Sequence, residues 1–412
     1  MKILFLSHYF PPEVNAPASR TYEHCREWVR NGHHVTVVTC APNHPKGRVY
    51  DGYRNGLWQR ENRDGIDVWR VWTYVTANEG FLKRTLNYLS YMVATIVAAP
   101  FLPTVDVVIS TSPQFFNGLA GYAVSRQKHA PWVLEIRDLW PESIVAVGAI
   151  SNSAIIGVLE RLELFAYRKA DRIVPVTNAF QQHMEKKGIP ASKITVIKNG
   201  ADISLYKPIA GQNPMMQELG LEGKFIAAYF GTHGMAHHLE TILHAADRLR
   251  QYPDIVFLLA GDGAERERLL RLRDKLALTN VVMLEQQSKE RMPWLWACCH
   301  VSLIVLKKSD LFKTVIPSKL FESMAMEKPI ILAVEGESAA ILQAAEAGFC
   351  IEPENDEELA ARMLDLWSNR PLCQKYGLNG RRHVLRNYDR SNLAKRYQEL
   401  LQSLLGKPEE NF

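Results

Sequence analysis

The chain has 412 residues, of which 47% are hydrophobic and 23% are charged, and its formal net charge is +5. One hydrophobic core rarely supports this length, so we expect two domains of about 150–200 residues each. The composition excludes extended disorder, and the small positive charge excludes the dense basic surface of a dedicated nucleic-acid-binding protein.

The N-terminus leads directly into an apolar run that begins at Ile3, which differs from a secretory signal peptide. The six cysteines form no Cys-x-x-Cys pair and no zinc-binding spacing, which is typical of reduced thiols. Both observations predict a protein of the cytoplasm.

Short β-branched runs alternate with helical patterns along the whole chain, which predicts βαβ units and parallel sheets buried on both faces. The first half contains candidate strands at 3–7, 35–39, 107–110, 133–136, 173–176 and 194–197. The second half contains candidate strands at 225–229, 256–260, 281–284, 301–305, 330–333 and 349–351. The sequence therefore predicts an α/β protein with two doubly wound, Rossmann-like domains.

The boundary between the halves falls at a glycine turn, Asn199-Gly200-Ala201-Asp202, which is followed by Pro208. We assign 1–200 to an N-terminal domain and 201–412 to a C-terminal domain, while the final helix, 391–405, fits either one. Ligands of such sheets bind beyond the carboxyl ends of the strands. Two sheets whose loop edges face each other would then share a central cleft.

The stretch 85–105 carries no charged residue and follows Lys83 and Arg84. This basic-then-apolar order fits a peripheral contact of 81–103 with an anionic membrane, and it fits a packed helix equally well. Flotation with liposomes would distinguish the two, because a chain that is unaffected by replacing Met92, Ile96 and Phe101 with Ser would exclude the membrane contact.

The most informative stretch is 316–326, which contains Pro317-Ser318-Lys319 and Glu322. Pro317 suits the first position of a helix, and the N-terminus of a helix attracts phosphate. Lys319 would neutralise a leaving diphosphate, and Glu322, which shares a helix face with Ser318, would reach a pair of sugar hydroxyls. An ordinary helix with a solvent-facing Lys and Glu is the alternative.

Two glycine turns follow strands in the same half, one with Gly231, Thr232 and His233 and the other with Gly261 and Gly263. Glycine at such turns lets the backbone approach a ligand closely and present amides to phosphate. Neither turn is a complete G-x-G-x-x-G and no Walker A loop occurs, which disfavours a nicotinamide-binding protein and a P-loop NTPase.

Five segments in this order make the chain resemble the retaining glycosyltransferases of family 4, which have the GT-B fold: 31–37, 198–202, the turn at Gly231, 261–263 and 317–322. The resemblance covers nearly the full length, and the form of 317–322 is similar to members that build bacterial surface polysaccharides such as O-antigen and capsule. It implies a nucleotide-diphosphate-sugar donor with UDP as the carrier, and our working hypothesis for the sugar is an N-acetylated hexosamine or a deoxyhexosamine. It also implies a saccharide acceptor and no need for a cofactor or a metal. The basic-then-apolar order after Lys83 and Arg84 favours an acceptor linked to undecaprenyl diphosphate at the inner face of the plasma membrane.

In the family's E-x7-E pattern the second Glu contacts the ribose and matches Glu322, whereas Thr314 stands where the first Glu is expected. The basic pair that usually follows the first strand of the second domain is also absent, which makes Lys319 the residue for the diphosphate. The resulting donor set is Gly231, Thr232, His233, Gly261, Gly263, Thr314, Pro317, Ser318, Lys319 and Glu322.

The resemblance implies acceptor binding in the N-terminal half, on two loops that follow strands. The first loop contains Asn15 and Arg20, and the second contains Glu135, Arg137 and Asp138. Together with Lys319 and Glu322, we assign Asp138 a catalytic role, since perturbed carboxylates at strand ends mark functional sites. A structural ion pair of Arg137 with Asp138 or Glu135 is the alternative.

Two other functions remain open. UDP-sugar 2-epimerases share this architecture and these donors, but they use acid–base carboxylates and need no acceptor. A nucleotide-sugar-binding protein without catalytic activity is the third hypothesis, and Thr314 is the residue that favours it.

Overall fold

The computed structural model describes residues 1–406 apart from 45, 77–80, 147, 149 and 212. The chain forms two compact units. The first unit contains Met1–Lys198 together with the segment that begins at Arg390, and the second contains Asn199–Asp389. The final helix therefore belongs to the first unit, and the chain passes between the units after Lys198, two residues before the predicted boundary after residue 200.

The first unit is built on a seven-stranded sheet in which every strand pair except the edge pair β3–β4 is parallel. Its strands are β1 (Lys2–Leu6), β2 (His34–Cys40), β3 (Trp58–Arg63), β4 (Ile66–Val71), β5 (Val107–Thr111), β6 (Trp132–Ile136) and β7 (Arg172–Pro175). The order across the sheet is β3-β4-β2-β1-β5-β6-β7. The topological switch point therefore lies at β1, which has β2 on one side and β5 on the other.

Helices cover both faces of this sheet, which explains why its central strands are buried along their length. They are α1 (Ala16–Arg30), α2 (Phe81–Ala98), α3 (Phe116–Lys128), α4 (Glu142–Ala146), α5 (Ser153–Lys169), α6 (Asn178–Lys186) and, from the end of the chain, Arg390–Leu404. This last helix packs on α1, where the indole of Trp28 donates to the carbonyl of Ala394 at 3.0 Å. Tyr397 and Leu401 join the same buried cluster.

The second unit is built on a six-stranded, entirely parallel sheet. Its strands are β8 (Phe225–Phe230), β9 (Ile255–Ala260), β10 (Val281–Leu284), β11 (Val301–Val305), β12 (Ile330–Ala333) and β13 (Gly348–Cys350), in the order β10-β9-β8-β11-β12-β13. Its helices are α7 (Pro214–Glu218), α8 (Glu240–Arg248), α9 (Arg266–Lys275), α10 (Met292–Cys298), α11 (Lys319–Ala325), α12 (Glu337–Ala345), α13 (Asp356–Ser368) and α14 (Arg370–Asn387). The final helix, Arg390–Leu404, is α15. The switch point of this sheet lies at β8, between β9 and β11.

The prediction of two α/β units with parallel, doubly wound sheets is confirmed, but two predicted details of the first unit are wrong. The candidate strand 194–197 forms only an isolated bridge, between Ile173 and Ile194. The hairpin β3–β4 is absent from the prediction because β3 carries polar and charged residues on a solvent-exposed edge. The local signal for it was Asp64-Gly65, whose φ angles of 53° and 83° make the tight turn.

The uncharged stretch after Lys83 forms α2 and a short 3₁₀ turn, Ala99–Phe101. None of the helices within the described residues combines the length and the apolarity that crossing a bilayer requires.

Candidate functional site

The two glycine turns of the second unit lie against each other at the carboxyl ends of β8 and β9. The amide of His233 donates to the carbonyl of Asp262 at 2.9 Å, and the amide of Glu265 donates to the carbonyl of His233 at 2.9 Å. A Cβ atom on Gly261 would lie 1.8 Å from the carbonyl oxygen of Gly231, and one on Gly263 would lie 2.5 Å from that of His233. Only glycine at 261 and 263 permits this close backbone approach. The two turns therefore pack directly against each other at the switch point.

Lys319 points into the same region from the start of α11. Its Nζ atom lies 3.5 Å from the centroid of the Tyr229 ring, and a Cβ atom on Gly231 would lie 2.9 Å from it. This Nζ atom is buried and has no hydrogen-bond partner within the part of the chain that the structure describes. Desolvation lowers the pKa of Lys319 to about 7, and the nearby charge of Glu322 only partly opposes this shift.

Two imidazole rings lie beside Lys319. His233 is fully buried, and neither of its ring nitrogens has a hydrogen-bond partner among the described residues. The Nδ1 atom of His237 is likewise buried without a partner among them. Desolvation, followed by the charge of Lys319, lowers the pKa of His233 to about 4 and that of His237 to about 3. Both rings are therefore neutral near pH 7 and leave Lys319 as the cation of this cluster.

Several buried polar atoms without partners in one place indicate a ligand site, because each such atom costs about 1–3 kcal/mol when it stays unpaired. We call Tyr229, Gly231, His233, His237 and Lys319 the lysine cluster. Three of its members, Gly231, His233 and Lys319, belong to the donor set predicted from the sequence. Tyr229 lies in an apolar strand, where the sequence predicts only a core residue, and His237 is absent from the predicted set.

The helix that carries Lys319 begins two residues later than predicted. Ser318, with helical backbone angles, is its N-cap residue, and the amide of Leu320 donates to the carbonyl of Pro317 at 3.0 Å. Pro317 therefore precedes the helix instead of occupying its first position. Glu322 lies in the first turn of α11, close enough to Lys319 to interact electrostatically.

Thr314, which stands where the family's first Glu is expected, and the nearby Asp310 both have partners within their own segment. The hydroxyl of Thr314 donates to the carbonyl of Leu311 at 2.6 Å. Asp310 is 97% exposed and pairs with Lys313 at 2.9 Å. Neither side chain contacts the lysine cluster through these bonds.

In the first unit, Arg20 and Glu135 form a buried ion pair with a nitrogen–oxygen distance of 3.0 Å. Arg20 also donates to the carbonyls of Ile197 and Lys198, and the second oxygen of Glu135 accepts from the hydroxyl of Thr111. Desolvation acts to raise the pKa of Glu135, but the charges of Arg20 and Arg137 and the hydrogen bonds from Arg20 and Thr111 together outweigh it and keep the pKa below its ordinary value. Both residues thus link β6, α1 and the chain after β7. This is a structural ion pair, the alternative considered from the sequence, but Glu135 pairs with Arg20 instead of Arg137.

Arg137 and Asp138 lie at the end of β6, and both amides donate to the hydroxyl of Ser112. The guanidinium of Arg137 donates to the carbonyl of Pro17 at 3.1 Å, and desolvation lowers its pKa to about 9. Asp138 accepts from the hydroxyl of Ser143 at 3.0 Å, and desolvation raises its pKa to about 6. A carboxyl that titrates near neutrality fits acid–base chemistry better than the ionised Glu135 does.

Asn15 serves first as a helix cap. Its side-chain oxygen accepts from the amide of Ala18 at 2.8 Å and starts α1. Its Nδ2 atom is buried without a partner among the described residues, so it keeps one donor for a ligand.

A second group of titratable residues surrounds the end of β1, and none of them belongs to the donor or acceptor residues predicted from the sequence. His8 is buried against the rings of Tyr9, Tyr88 and Tyr91, and burial lowers its pKa to about 4. Glu13 accepts from the amide of Asn43 at 2.9 Å, and desolvation raises its pKa to about 7. These residues come from three separate elements, so no local pattern reveals them.

One group of side chains within the described residues has the composition of a metal site: Glu142, Glu163 and His183. The ammonium of Lys187 already lies 2.6 Å from a carboxylate oxygen of each glutamate. An internal cation thus neutralises these acids, and the group fits an ion-pair network better than a metal site.

An apolar groove of about 550 Å³ lies between α2 and the hairpin β3–β4. Several of its side chains are exposed, including Leu57, Trp58, Trp72, Val93 and Val97. Met92 and Ile96, which the sequence singled out on α2, are half-buried instead, whereas Phe101 is exposed.

Residues 15–200 match the family model described as "Glycosyl transferase 4-like domain", and residues 212–383 match "Glycosyl transferases group 1". A protein of Escherichia coli strain K12 that is named as a colanic acid biosynthesis glycosyl transferase, WcaI, is 25% identical over 96% of this chain and 98% of its own length.

Two solved structures show the same fold along their whole length. Sucrose-phosphate synthase of Thermosynechococcus elongatus superposes with a TM-score of 0.75 at 16% identity, over 98% of this chain and 99% of that one. HepE of Anabaena, solved in complex with UDP-glucose, superposes with a TM-score of 0.73 at 19% identity, over 98% of this chain and 100% of that one.

Proposed function

The chain belongs to the family 4 glycosyltransferases of the GT-B fold, and on that premise we propose that it is a retaining transferase that moves a hexosyl unit from a UDP-sugar to a saccharide acceptor. The WcaI relative, which is named for colanic acid biosynthesis, supports a role in making a bacterial surface polysaccharide. The UDP-glucose complex of HepE supports UDP as the carrier.

The lysine cluster is the observation that carries the donor half of this proposal. A diphosphate brought against Lys319 would give the buried ammonium a hydrogen-bonded anionic partner, which it lacks among the described residues. The neutral rings of His233 and His237 can then donate hydrogen bonds to phosphate oxygens. Charge that develops on the leaving diphosphate would be stabilised by groups already in place, which is the main source of catalysis for such transfers.

The remaining donor residues follow from their positions around this cluster. Glu322, which lies on the first turn of α11 within electrostatic reach of Lys319, would accept hydrogen bonds from the ribose hydroxyls. The backbone at Gly231, Thr232, Gly261 and Gly263 would allow the close approach of the nucleotide. Thr314, Pro317 and Ser318, which precede α11 in the chain, remain proposed donor residues.

The acceptor would bind in the first unit, beside Asp138, Arg137 and Asn15. Asp138 is the carboxyl there whose pKa, raised to about 6 by desolvation, suits contact with the attacking hydroxyl. In the reaction the bond from the anomeric carbon to the diphosphate oxygen breaks, and a bond to the acceptor oxygen forms on the same face. The hydroxyl proton passes to the leaving diphosphate, so the step needs no enzymic nucleophile and, in our proposal, no metal.

A lipid-linked acceptor and peripheral contact with the inner face of the plasma membrane complete the proposal. The outer face of α2 and the hairpin β3–β4 present an apolar groove with two tryptophans, Trp58 and Trp72, at its rim. The charged residues of α2 are Lys83 and Arg84, both basic. Apolar and aromatic surface next to basic residues is the composition of a membrane-contacting face, and it supports contact through 81–103.

The test is an assay of donor turnover by the purified chain. UDP-sugars are incubated with and without a polyprenyl-diphosphate-linked saccharide, in the presence of EDTA, and products are resolved by mass spectrometry. We expect a new glycoside with retained anomeric configuration that forms only when acceptor is present. Free UDP and an epimerised sugar without acceptor would identify a 2-epimerase, and binding without any product would identify a non-catalytic protein.

A further inference from the structure

Arg84 lies on the first turn of α2, where this helix passes over the switch point of the first sheet. Four residues further on, Tyr88 packs edge-on against His8, which follows β1, at a centroid distance of 5.5 Å. The carbonyl of Tyr88 also accepts from the side chain of Gln114, which follows β5, at 2.7 Å. The inner face of α2 is thus held over the ends of β1 and β5, where ligands of doubly wound sheets bind.

The guanidinium of Arg84 rests on two aromatic rings. Its central carbon lies 5.4 Å from the centroid of the Trp140 ring and 5.9 Å from that of the Tyr88 ring. Tyr88 and Trp140 are themselves buried in one cluster with Phe116 and Ile144. Stacking on rings that are fixed in this way holds the planar group in one orientation while its edge stays available to an oxygen ligand.

The hydrogen-bonding capacity of Arg84 is unused within the described part of the chain. Its Nε atom is buried and finds no acceptor, and no carboxylate of the described residues lies within ion-pair distance of it. The nearest obvious partner, Asp138, interacts with Arg84 only over a longer range and accepts instead from Ser143 at 3.0 Å. Other arginines of this unit contrast with it, since Arg20 and Arg70 both donate to a carboxylate and to backbone carbonyls.

We infer that Arg84 binds the phosphate group through which the acceptor saccharide is linked to its lipid, and so anchors the acceptor next to Asp138. The inference rests on the proposed function, because it names the chemistry of the acceptor for the same site. A stacked guanidinium with a free edge matches two phosphate oxygens at once, which gives direction as well as charge. Asp138, which interacts electrostatically with Arg84, would then face the sugar that is attached to the phosphate.

The position of Arg84 on α2 also fits an amphiphilic ligand. The inner face of the helix carries Arg84 and Tyr88, and its outer face carries the apolar side chains of Leu86, Val93 and Val97 that line the groove. A polyprenyl diphosphate has the same division into an anionic end and a hydrocarbon chain. The exposed Lys83, which precedes Arg84 and lacks its aromatic stacking, provides a matched control.

The experiment measures binding of farnesyl diphosphate, inorganic pyrophosphate and farnesol to the full chain by isothermal titration calorimetry. Wild type is compared with Arg84→Gln, Arg84→Lys and Lys83→Gln, and each titration is repeated in a Lys319→Met background to remove phosphate binding in the second unit. We expect Arg84→Gln to weaken both diphosphates at least tenfold and Arg84→Lys to weaken them less, because it keeps the charge but loses the planar fork. Lys83→Gln and all farnesol titrations should match wild type.

Equal binding of farnesyl diphosphate by Arg84→Gln and wild type would overturn the inference. An equal loss of affinity in Lys83→Gln would also overturn it, because the change in net charge alone would then explain the loss. A loss confined to farnesyl diphosphate, with pyrophosphate unaffected, would also overturn it, because chain contact and not phosphate would then be the cause. Melting temperatures of all variants show whether the fold is retained, and Arg84→Lys keeps the test valid if Arg84→Gln unfolds. These titrations do not depend on turnover, so a failed transfer assay and a failed Arg84 test remain distinguishable.

Discussion

The ammonium of Lys319 lies 3.5 Å from the centroid of the Tyr229 ring and has no hydrogen-bond partner within the described residues. A cation held in this way is costly to the free protein, because the ring face and the nearby charge of Glu322 compensate its desolvation only in part. Such a cost is typical of a site that is completed by its ligand. The first two predictions follow from this pair.

Replacing Lys319 with Met should weaken UDP-glucose binding by about 10–100-fold, the value of a lost charge-assisted hydrogen bond of about 1.5–3 kcal/mol. The same change should raise the melting temperature of the free protein, because it removes a buried, unpaired amine. Calorimetric titration and thermal unfolding measure the two effects. Lys313→Met, which removes an exposed lysine from the segment before α11, is the control, and a Lys319→Met protein that is less stable yet binds normally would contradict the assignment.

UDP-glucose binding should weaken as the pH rises above about 7. The free-state pKa of Lys319 is lowered to about 7 by desolvation, and a bound diphosphate would raise it, so binding at higher pH requires the uptake of one proton. By linkage the dissociation constant then increases by up to about tenfold per pH unit until the pKa of the complex is reached. Calorimetric titrations from pH 6 to 9 in buffers of different ionisation enthalpy measure the dissociation constant and the number of protons taken up. An equally steep pH dependence in Lys319→Met would show that another group takes up the proton.

Gly261→Ala should destabilise the second unit by about 1–3 kcal/mol and abolish donor binding, because its Cβ atom would lie 1.8 Å from the carbonyl of Gly231 and force the two turns apart. Gly234→Ala is the matched control, since the nearest atom to its Cβ would be a methyl carbon of Thr232 at 3.4 Å. Urea unfolding and UDP-glucose titration distinguish the two variants. Similar behaviour of both would show that the contact between the turns is dispensable.

Arg20→Met should destabilise the protein by about 3–5 kcal/mol, because it leaves Glu135 buried without its cation. The double variant Arg20→Met with Glu135→Leu should recover much of this loss, since both charges are then absent. Urea unfolding tests both statements. If Arg20→Met instead kept its stability and raised only the acceptor KM, Arg20 would be an acceptor-binding residue, as the sequence analysis expected.

Val93→Ser with Val97→Ser should reduce flotation of the chain with vesicles that contain anionic phospholipid. These residues lie on the outer face of α2 and are 54% and 61% exposed. The control is Ile155→Ser with Val158→Ser on α5, where the exposed fractions are 43% and 54%. Equal flotation of wild type and both variants, or an equal loss in both, would remove the membrane contact from the proposal.

Much of the fold could be predicted because its signals are local. The apolar runs of β1, β5, β8 and β12 are continuous, and glycine turns or polar residues follow them at short range. The solvent-exposed strand β3 lacks such a run. Its existence depends on pairing with β4 and not on burial of its own side chains.

The candidate site divides in the same way. The sequence by itself determined the two parallel sheets, the glycine turns and the position of Lys319 near the start of a helix, because residue type, spacing and backbone freedom act over a few neighbours. Only the tertiary structure decided that Lys319 meets Tyr229, that Arg20 is bound to Glu135, and that Arg84 stacks on Trp140 without an acceptor. Each of these contacts joins residues that are at least fifty positions apart, roughly five strand-and-loop units of chain. Whether a buried charge is paired or left for a ligand therefore depends on how distant segments pack.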